Sequence, residues 1–130
     1  MTPISDDRVR IVLADDVAAY RLLVRVVLET DGRFEVVAEA GDGAEAIRAV
    51  EEHRPDAIVL DLAMPVLDGL QAIPEILARS PGTRIVVHSG FVREALKQGV
   101  LENGASAYVE KGVEVMTLAD TLAELTVRVA

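Results

Sequence analysis

The chain has 130 residues, and its 22 acidic and 13 basic side chains give a formal charge of −9. Apolar residues make up 51% and aromatic residues only 3%, so one domain with an aliphatic core is expected. An acidic chain with few aromatic side chains lacks the basic, stacking surface that nucleic-acid binding needs. The absence of cysteine excludes disulfides, zinc–thiolate sites and cysteine nucleophiles.

The N-terminal segment MTPISDDR has neither the basic n-region nor the apolar h-region of a signal peptide. No apolar run approaches the roughly 18 residues that a membrane helix needs. We therefore expect a cytoplasmic protein that does not contact a membrane.

Five short apolar runs, rich in β-branched residues, alternate with longer stretches of helical periodicity. The predicted strands are VRIVLA (9–14), FEVVAEA (34–40), AIVLD (57–61), RIVVHS (84–89) and AYVE (107–110). Three of these runs are nearly continuous in apolar residues, which is typical of strands buried on both faces of a parallel sheet.

The stretches between the runs predict five helices, at about residues 17–29, 43–54, 68–80, 92–102 and 113–127. Asp42 and Glu45 have the spacing of a capping box at the start of the second helix. Pro74 falls inside the third helix and is expected to kink it or to move its effective start. The fourth stretch contains Gly99 and is expected to form a short or irregular helix.

This alternation predicts one doubly wound α/β domain over residues 1–130, with its core at about 8–127 and no output domain. Right-handed crossovers would place helices on both faces of a five-stranded parallel sheet. The expected strand order is 2-1-3-4-5, with the first and third strands adjacent at the switch point.

Polar side chains follow four of the five strands, at the sheet edge where function gathers in such folds. Asp15 and Asp16 follow the first strand, Asp61 ends the third, Ser89 ends the fourth and Lys111 follows the fifth. Three converging carboxylates repel one another unless a cation neutralises them, and Mg²⁺ is the natural hard ion. With a hydroxyl and an ammonium nearby, the set favours phosphoryl transfer to an aspartate nucleophile.

Each residue takes a role in this hypothesis. Asp61 stands alone at a strand end and is the best nucleophile, while Asp15 and Asp16 would hold the metal. Lys111 would pair with one phosphoryl oxygen, and Ser89 would donate a hydrogen bond to another. Taken singly, each of these residues also fits a helix cap, a turn or a solvated lysine, and only their occurrence together at one sheet edge favours the phosphoryl-transfer site.

The segments around these positions resemble the receiver domain of two-component response regulators over nearly the whole chain. The matching segments are IVLADD (11–16), DLAMPVLDGL (61–70), VVHSGF (86–91) and GASAYVEKG (104–112). The Asp-x-x-Met-Pro-x-x-Asp-Gly stretch is the most specific of them. The resemblance implies a flavodoxin-like fold and a Mg²⁺-dependent phosphorelay protein rather than an enzyme, since it would catalyse only its own phosphorylation and dephosphorylation.

The resemblance implies that Asp61 is the phosphoacceptor. Asp16 would be a direct Mg²⁺ ligand with Asp15 as its acidic partner, and Asp61 and the backbone carbonyl of Ala63 would complete the metal site. The Ala63 side chain lies where the family tunes hydrolysis. Because a methyl group cannot position an attacking water, we expect slow or average self-dephosphorylation.

The resemblance also implies a two-state switch. Ser89 would be the switch hydroxyl and Tyr108 the switch aromatic, while Pro65 and Gly69 would shape the loop beside the acceptor. The phosphoryl donor would be a histidine kinase or a phosphotransfer protein. The responding face would be the fourth helix, fifth strand and fifth helix, which would bind an unknown protein target or form a homodimer. No direct nucleic-acid binding is expected.

Several alternatives remain open at this point. The chain could be a pseudo-receiver or docking module that is not phosphorylated, or a receiver excised from a DNA-binding transcription regulator. The segment GDGAEA (41–46) fits a dinucleotide-binding pattern, but it lies in the second strand–helix turn and carries acidic residues. An aspartate-nucleophile phosphatase would need an acid where Ala63 stands.

The first helix is apolar nearly all round, which usually indicates burial in the core. Its outer side could instead dock the phosphodonor or a second subunit, with Val24 and Leu28 as the positions to test. His88, next to Ser89, is expected to be a strand-packing or locally bonded histidine.

Overall fold

The computed structural model describes residues 7–90, 92–112 and 115–126. The strands in these ranges are β1 (Val9–Ala14), β2 (Phe34–Ala40), β3 (Ala57–Leu60), β4 (Arg84–Ser89) and β5 (Ala107–Glu110). The helices are α1 (Ala18–Asp31), α2 (Gly43–His53), α3 (Gly69–Arg79), α4 (Glu94–Glu102) and α5 (Val115–Leu125). The predicted alternation of strands and helices is confirmed.

The strands form one parallel sheet in the order β2-β1-β3-β4-β5, as predicted. At the carboxyl edge, Ala14 of β1 is in register with Leu60 of β3. The residues that follow these two, Asp15 and Asp61, therefore leave the sheet side by side. Asp61 lies one residue beyond β3, whereas the sequence pattern included it in the strand.

The core consists of two apolar clusters, one on each face of the sheet. Alternate residues of a strand point to opposite faces, so Val12 contributes to the cluster beneath α2 and α3, and Ile11 to the cluster beneath α1 and α5. All four residues of β3 are buried, as expected for a central strand covered on both sides. This rigid support fixes the side chains at its carboxyl end.

The helix ends agree in part with the sequence signals. The Asp42 side chain accepts a hydrogen bond from the Glu45 backbone N–H at 2.8 Å, but the Glu45 carboxylate bonds the N–H of Gly41 and not that of Asp42. The predicted capping box is thus half formed. A full capping box joins Asp68 and Gln71 at the start of α3.

The limits of α1 to α4 lie within two residues of the expected ones. The α3 helix begins at Gly69 and continues through Pro74, so the proline does not move its start. The α4 helix begins at Glu94, two residues later than expected, because Arg93 is extended at φ −66° and ψ 150° and gives no side-chain cap. The expected ends of the last helix, residues 113 and 127, lie outside the described residues.

The helices of the described ranges are all too short or too polar to cross a bilayer.

Candidate functional site

Asp61 is the centre of the site at the carboxyl edge of the sheet. Only 4% of the residue is exposed, yet its carboxylate accepts three hydrogen bonds. Its Oδ1 accepts from Ser89 Oγ at 2.7 Å and from the Ala63 N–H at 3.1 Å. Its Oδ2 accepts from Lys111 Nζ at 3.1 Å. The acidic group predicted as nucleophile is therefore held by donors from three different segments.

Asp15 and Asp16 lie beside it, at the end of β1. Asp15 is buried and Asp16 is exposed. The Val17 N–H donates to Asp15 Oδ1 at 2.9 Å, which makes Asp15 the turn residue before α1 as well as a member of the site. The Asp61 backbone N–H donates to the Ala14 carbonyl at 3.0 Å, which holds the two strand ends together.

The donor set suits a hard divalent cation. One carboxylate oxygen from each of Asp15, Asp16 and Asp61 lies within 4.8 Å of the others. Magnesium prefers carboxylate and carbonyl oxygens and keeps several of its waters. Because Asp16 is exposed, the site has room for these waters. The fold thus brings together the three carboxylates that are expected to hold Mg²⁺.

Lys111 follows β5 and lies between two of the carboxylates, with its Nζ 2.6 Å from Asp15 Oδ2 and 3.1 Å from Asp61 Oδ2. Its backbone N–H donates to the Ser89 carbonyl at 2.7 Å, which fixes the end of β5 against β4. Partial burial opposes the charged form, but the bonds to Asp15 and Asp61 outweigh it and raise the pKa of Lys111. The ammonium is therefore charged at neutral pH.

Ser89 and Tyr108, the expected switch pair, are linked through backbone carbonyls. The Tyr108 hydroxyl donates to the Gly90 carbonyl and, at 3.5 Å, to that of Ser89. Lys97 of α4 lies 5.2 Å from the centre of the Tyr108 ring. Burial raises the pKa of the Tyr108 phenol, with Glu110 adding to it, so the hydroxyl stays a donor.

The loop after Asp61 contains Pro65 and Gly69, the two residues expected to shape it. A Cβ on Gly69 would lie 2.2 Å from the Asp61 carbonyl oxygen, so only glycine fits there. The Leu67 N–H donates to the Pro65 carbonyl at 2.7 Å across Val66, whose φ of 67° is unusual for a β-branched residue. This strained three-residue turn was not foreseen from the sequence.

The dinucleotide-like segment has a packing explanation. A Cβ on Gly43 would lie 2.0 Å from the Leu67 carbonyl oxygen, so this glycine lets the start of α2 pack against the loop that follows Asp61. Asp42 is the N-cap of the same helix. The pattern in 41–46 is thus satisfied by capping and close packing.

Two residues near the site had no assigned role. The Tyr20 hydroxyl of α1 and His88 Nε2 of β4 are 2.6 Å apart, and His88 Nδ1 is 2.7 Å from the Val109 carbonyl oxygen. The local bonding expected of His88 is thus present, but nothing in the sequence paired it with Tyr20. The one sequence signal for His88 was its position directly after the apolar run 85–87 of β4.

The positions suggested for testing a docking role of α1 are wrong. Val24 is 2% exposed and Leu28 is fully buried, because both face the sheet. The outer side of α1 instead exposes 61% of Leu22 and 53% of Val26. A uniformly apolar helix does not reveal which of its sides packs on the sheet.

A five-stranded parallel α/β sheet with three acidic groups, a hydroxyl and a lysine at its carboxyl edge defines a receiver-type signalling domain. The sequence model of the response regulator receiver domain matches residues 11–123, and the chain belongs to this family.

The relatives agree with this assignment. A transcriptional regulatory protein of Bacillus subtilis, YhcZ, is 38% identical over 86% of this chain and 52% of its own length. The chemotaxis protein CheY of Listeria monocytogenes is 31% identical over 78% of this chain and 85% of its own length. The response regulator domain of Thermotoga maritima CheB superposes with a TM-score of 0.86 at 26% identity, covering 94% of this chain and 99% of that one.

Several curated relatives are longer proteins. The chain spans 32% of a protein-glutamate methylesterase of Geobacter metallireducens and 52% of the B. subtilis regulator. The activities of those longer proteins are therefore not assigned to this chain.

Proposed function

We propose that this domain accepts a phosphoryl group on Asp61 from a histidine kinase or a phosphotransfer protein. The observation that carries the proposal is the set of donors on one buried carboxylate: Ser89 Oγ, the Ala63 N–H and Lys111 Nζ all bond Asp61. A nucleophilic carboxylate needs this kind of fixed orientation, because catalysis of phosphoryl transfer is mainly positioning and charge neutralisation.

Asp15, Asp16, Asp61 and the backbone carbonyl of Ala63 are the groups that would hold Mg²⁺. The ion, when bound, would neutralise charge on the transferring phosphoryl oxygens. The three carboxylates meet within 4.8 Å, which supports this assignment.

The residues of the chain would act as follows. A carboxylate oxygen of Asp61 attacks phosphorus, and the bond from phosphorus to the donor atom breaks, with the leaving group keeping the electron pair. In the unphosphorylated domain the Lys111 ammonium bonds Asp61 Oδ2. After transfer it would move toward the new negative charge and pair with a phosphoryl oxygen. The Ser89 hydroxyl would donate a hydrogen bond to a second phosphoryl oxygen. Hydrolysis of the acyl phosphate by water would return the carboxylate, so the domain turns over no separate substrate.

The same contacts would make phosphorylation a conformational signal. A phosphoryl group adds negative charge and acceptor oxygens beyond the Asp61 carboxylate. If the Ser89 backbone shifts toward these oxygens, the carbonyls of Ser89 and Gly90 that hold the Tyr108 hydroxyl would shift with it. Tyr108 would carry the change to the face formed by α4, β5 and α5.

We further propose that this face binds a downstream protein or a second copy of the chain. The domain would act in the cytoplasm, without contacting nucleic acid itself. Membership of the receiver family and the likeness to CheY support a regulatory role over an enzymatic one.

The test is the intact mass of the protein after incubation with acetyl phosphate, with and without Mg²⁺. The wild type is expected to gain one phosphoryl group only when Mg²⁺ is present, and Asp61→Asn is expected to gain none. Asp120→Asn, on the exposed surface of α5, is a matched control and should behave as wild type. If folded wild type gains nothing with Mg²⁺ and does not bind beryllofluoride, the domain is a pseudo-receiver.

A further inference from the structure

Tyr20 and His88 form a chain of hydrogen bonds that the proposed chemistry does not use. Their directions follow from the groups involved. The Val109 carbonyl oxygen can only accept, so His88 Nδ1 carries the proton in their 2.7 Å bond. A neutral imidazole then accepts at Nε2, and the Tyr20 hydroxyl donates to it at 2.6 Å. These hydrogen bonds thus connect α1 to β4 and β4 to β5.

The surroundings favour this neutral form of His88. The residue is 2% exposed, and burial lowers the pKa of its imidazole, with the charge of Lys111 lowering it further. The Tyr20 phenol keeps its proton, because burial raises its pKa although Lys111 opposes this. Both groups are therefore in the protonation states that the hydrogen-bond chain requires.

The Tyr20 ring lies beneath the ammonium of Lys111. The Nζ atom is 4.6 Å from the ring centre, inside the distance over which a cation is attracted to an aromatic face. Lys111 is also only two residues beyond Val109, the carbonyl that His88 bonds. His88 thus bonds the strand that precedes Lys111, and its partner Tyr20 forms the surface on which the ammonium rests.

We propose that Tyr20 is a positioning residue for Lys111, and that its aromatic face is what holds the ammonium in place. The inference rests on the proposed function, in which Lys111 pairs with the phosphoryl group. A lysine side chain has four flexible carbons and loses much rotational freedom when it is held in one place. The ring restricts the ammonium to the space between Asp15 and Asp61, so less freedom remains to be lost during transfer.

If Tyr20 had a purely structural role, leucine would be able to replace it. The ring packs against the apolar cluster beneath α1, and leucine would fill most of that space. Core packing would therefore be largely retained in Tyr20→Leu, whereas the aromatic face under Lys111 would be lost. Phenylalanine keeps the face and removes only the hydroxyl that bonds His88.

The composition of the chain allows a direct measurement. It contains two lysines and two tyrosines, and each lysine lies over a different tyrosine ring: Lys111 over Tyr20 and Lys97 over Tyr108. Lysine labelled with ¹³C at Cε therefore gives two NMR signals, which Lys97→Arg assigns. Tyr20→Leu is expected to shift the Lys111 signal alone, and the matched control Tyr108→Leu the Lys97 signal alone.

The second measurement is the rate of phosphoryl uptake from acetyl phosphate at saturating Mg²⁺. We expect Tyr20→Leu to react about fivefold more slowly than wild type, and Tyr20→Phe to stay within about twofold of it. Thermal unfolding of both variants establishes that they are folded. Rescue of the rate and of the Lys111 signal by phenylalanine supports the aromatic face as the cause.

The outcomes separate the two proposals. If Tyr20→Leu is folded and matches wild type in both the Lys111 signal and the uptake rate, the positioning role is wrong. A slower rate with an unmoved Lys111 signal also overturns it, because the effect would not act through Lys111. If wild type takes up no phosphoryl group, the proposed function fails, and the Lys111 signal alone then decides whether Tyr20 holds the ammonium.

Discussion

The ammonium of Lys111 lies 2.6 Å from Oδ2 of Asp15, closer than its 3.1 Å distance to Asp61. Asp15 is also one of the carboxylates that we propose as the Mg²⁺ site. An ammonium and a divalent cation are attracted by the same negative charge and repel each other. Lys111 would therefore oppose metal binding while it assists the proposed chemistry that needs the metal.

This relationship predicts opposite effects of Lys111→Met on two measurements. Removing the positive charge beside Asp15 should tighten Mg²⁺ binding, by about threefold to tenfold in a calorimetric titration. Phosphoryl uptake from acetyl phosphate should slow by at least about tenfold, because no ammonium remains to pair with the phosphoryl oxygens.

Lys111→Arg is the matched control, since it keeps the charge and should not tighten Mg²⁺ binding. Weaker Mg²⁺ binding by Lys111→Met would contradict the competition, and unchanged uptake would contradict the assigned role of the lysine.

The buried His88 predicts a dependence of stability on pH. Burial, followed by the charge of Lys111, lowers the pKa of its imidazole in the folded protein, although the bond to Val109 and the carboxylates of Asp15 and Asp61 oppose this. As pH falls through about 6.5, the unfolded chain therefore binds a proton on this residue before the folded protein does. The contribution of His88 to the free energy of unfolding is full above that pH and is lost below it.

Urea denaturation of wild type and His88→Gln, at about pH 7.5 and about pH 5.5, measures this contribution. Glutamine offers both a donor and an acceptor but does not titrate. Wild type should lose more stability than the variant over this range, by at most about 1.4 kcal/mol per pH unit for one proton. An equal loss in both proteins would show that the pKa of His88 is the same in the folded and unfolded states.

The fold could be predicted from the sequence because its signals are local. The β-branched runs and the helix stop signals each span only a few residues, and they indicate both the type of an element and where it ends. Four strands have the expected limits. The site residues could be located for the same reason, since the ends of parallel strands meet at one edge. Asp15, Asp61, Ser89 and Lys111 are joined there as expected.

The contacts that depend on the rotation of a helix about its axis could not be predicted. Tyr20 and His88 are 68 residues apart, and their pairing requires α1 to present one particular side to the sheet. The apolar pattern of α1 does not specify that side, which is also why Val24 was wrongly expected to be available for docking. Long-range side-chain geometry of this kind is set by tertiary packing.

Val66 predicts a stabilising substitution beside the acceptor. It has a φ of 67°, where a β-branched side chain is strained, and 82% of it is exposed, so its side chain gains little from packing. Val66→Gly should relieve the strain, with a net gain of about 0.5–1 kcal/mol after the extra freedom of glycine in the unfolded chain. Urea midpoints measure the gain, and Val66→Ala, which keeps a Cβ, should gain less. A loss of stability in Val66→Gly would mean that the turn is not strained.

The two sides of α1 predict a sharp contrast between neighbouring positions. Val24→Asp would bury an unpaired charge in the core and should cost at least about 3 kcal/mol of stability. Leu22→Asp changes an exposed side chain and should stay within about 0.5 kcal/mol of wild type, with unchanged uptake from acetyl phosphate. Thermal and urea unfolding of the two variants measure this contrast. Equal stability losses would mean that α1 packs with a different side toward the sheet.

Ala63 predicts how long the phosphoryl group lasts. Its side chain is exposed two residues after Asp61, and its N–H already bonds Asp61 Oδ1 at 3.1 Å. A methyl group cannot orient water, whereas the amide of Ala63→Asn could hold one for attack on phosphorus. The lifetime of the acyl phosphate, followed by intact mass after removal of the donor, should therefore shorten by at least about threefold. Ala63→Val adds bulk without a polar group and should not shorten it. An unchanged lifetime in Ala63→Asn would mean that water reaches the phosphoryl group from another side.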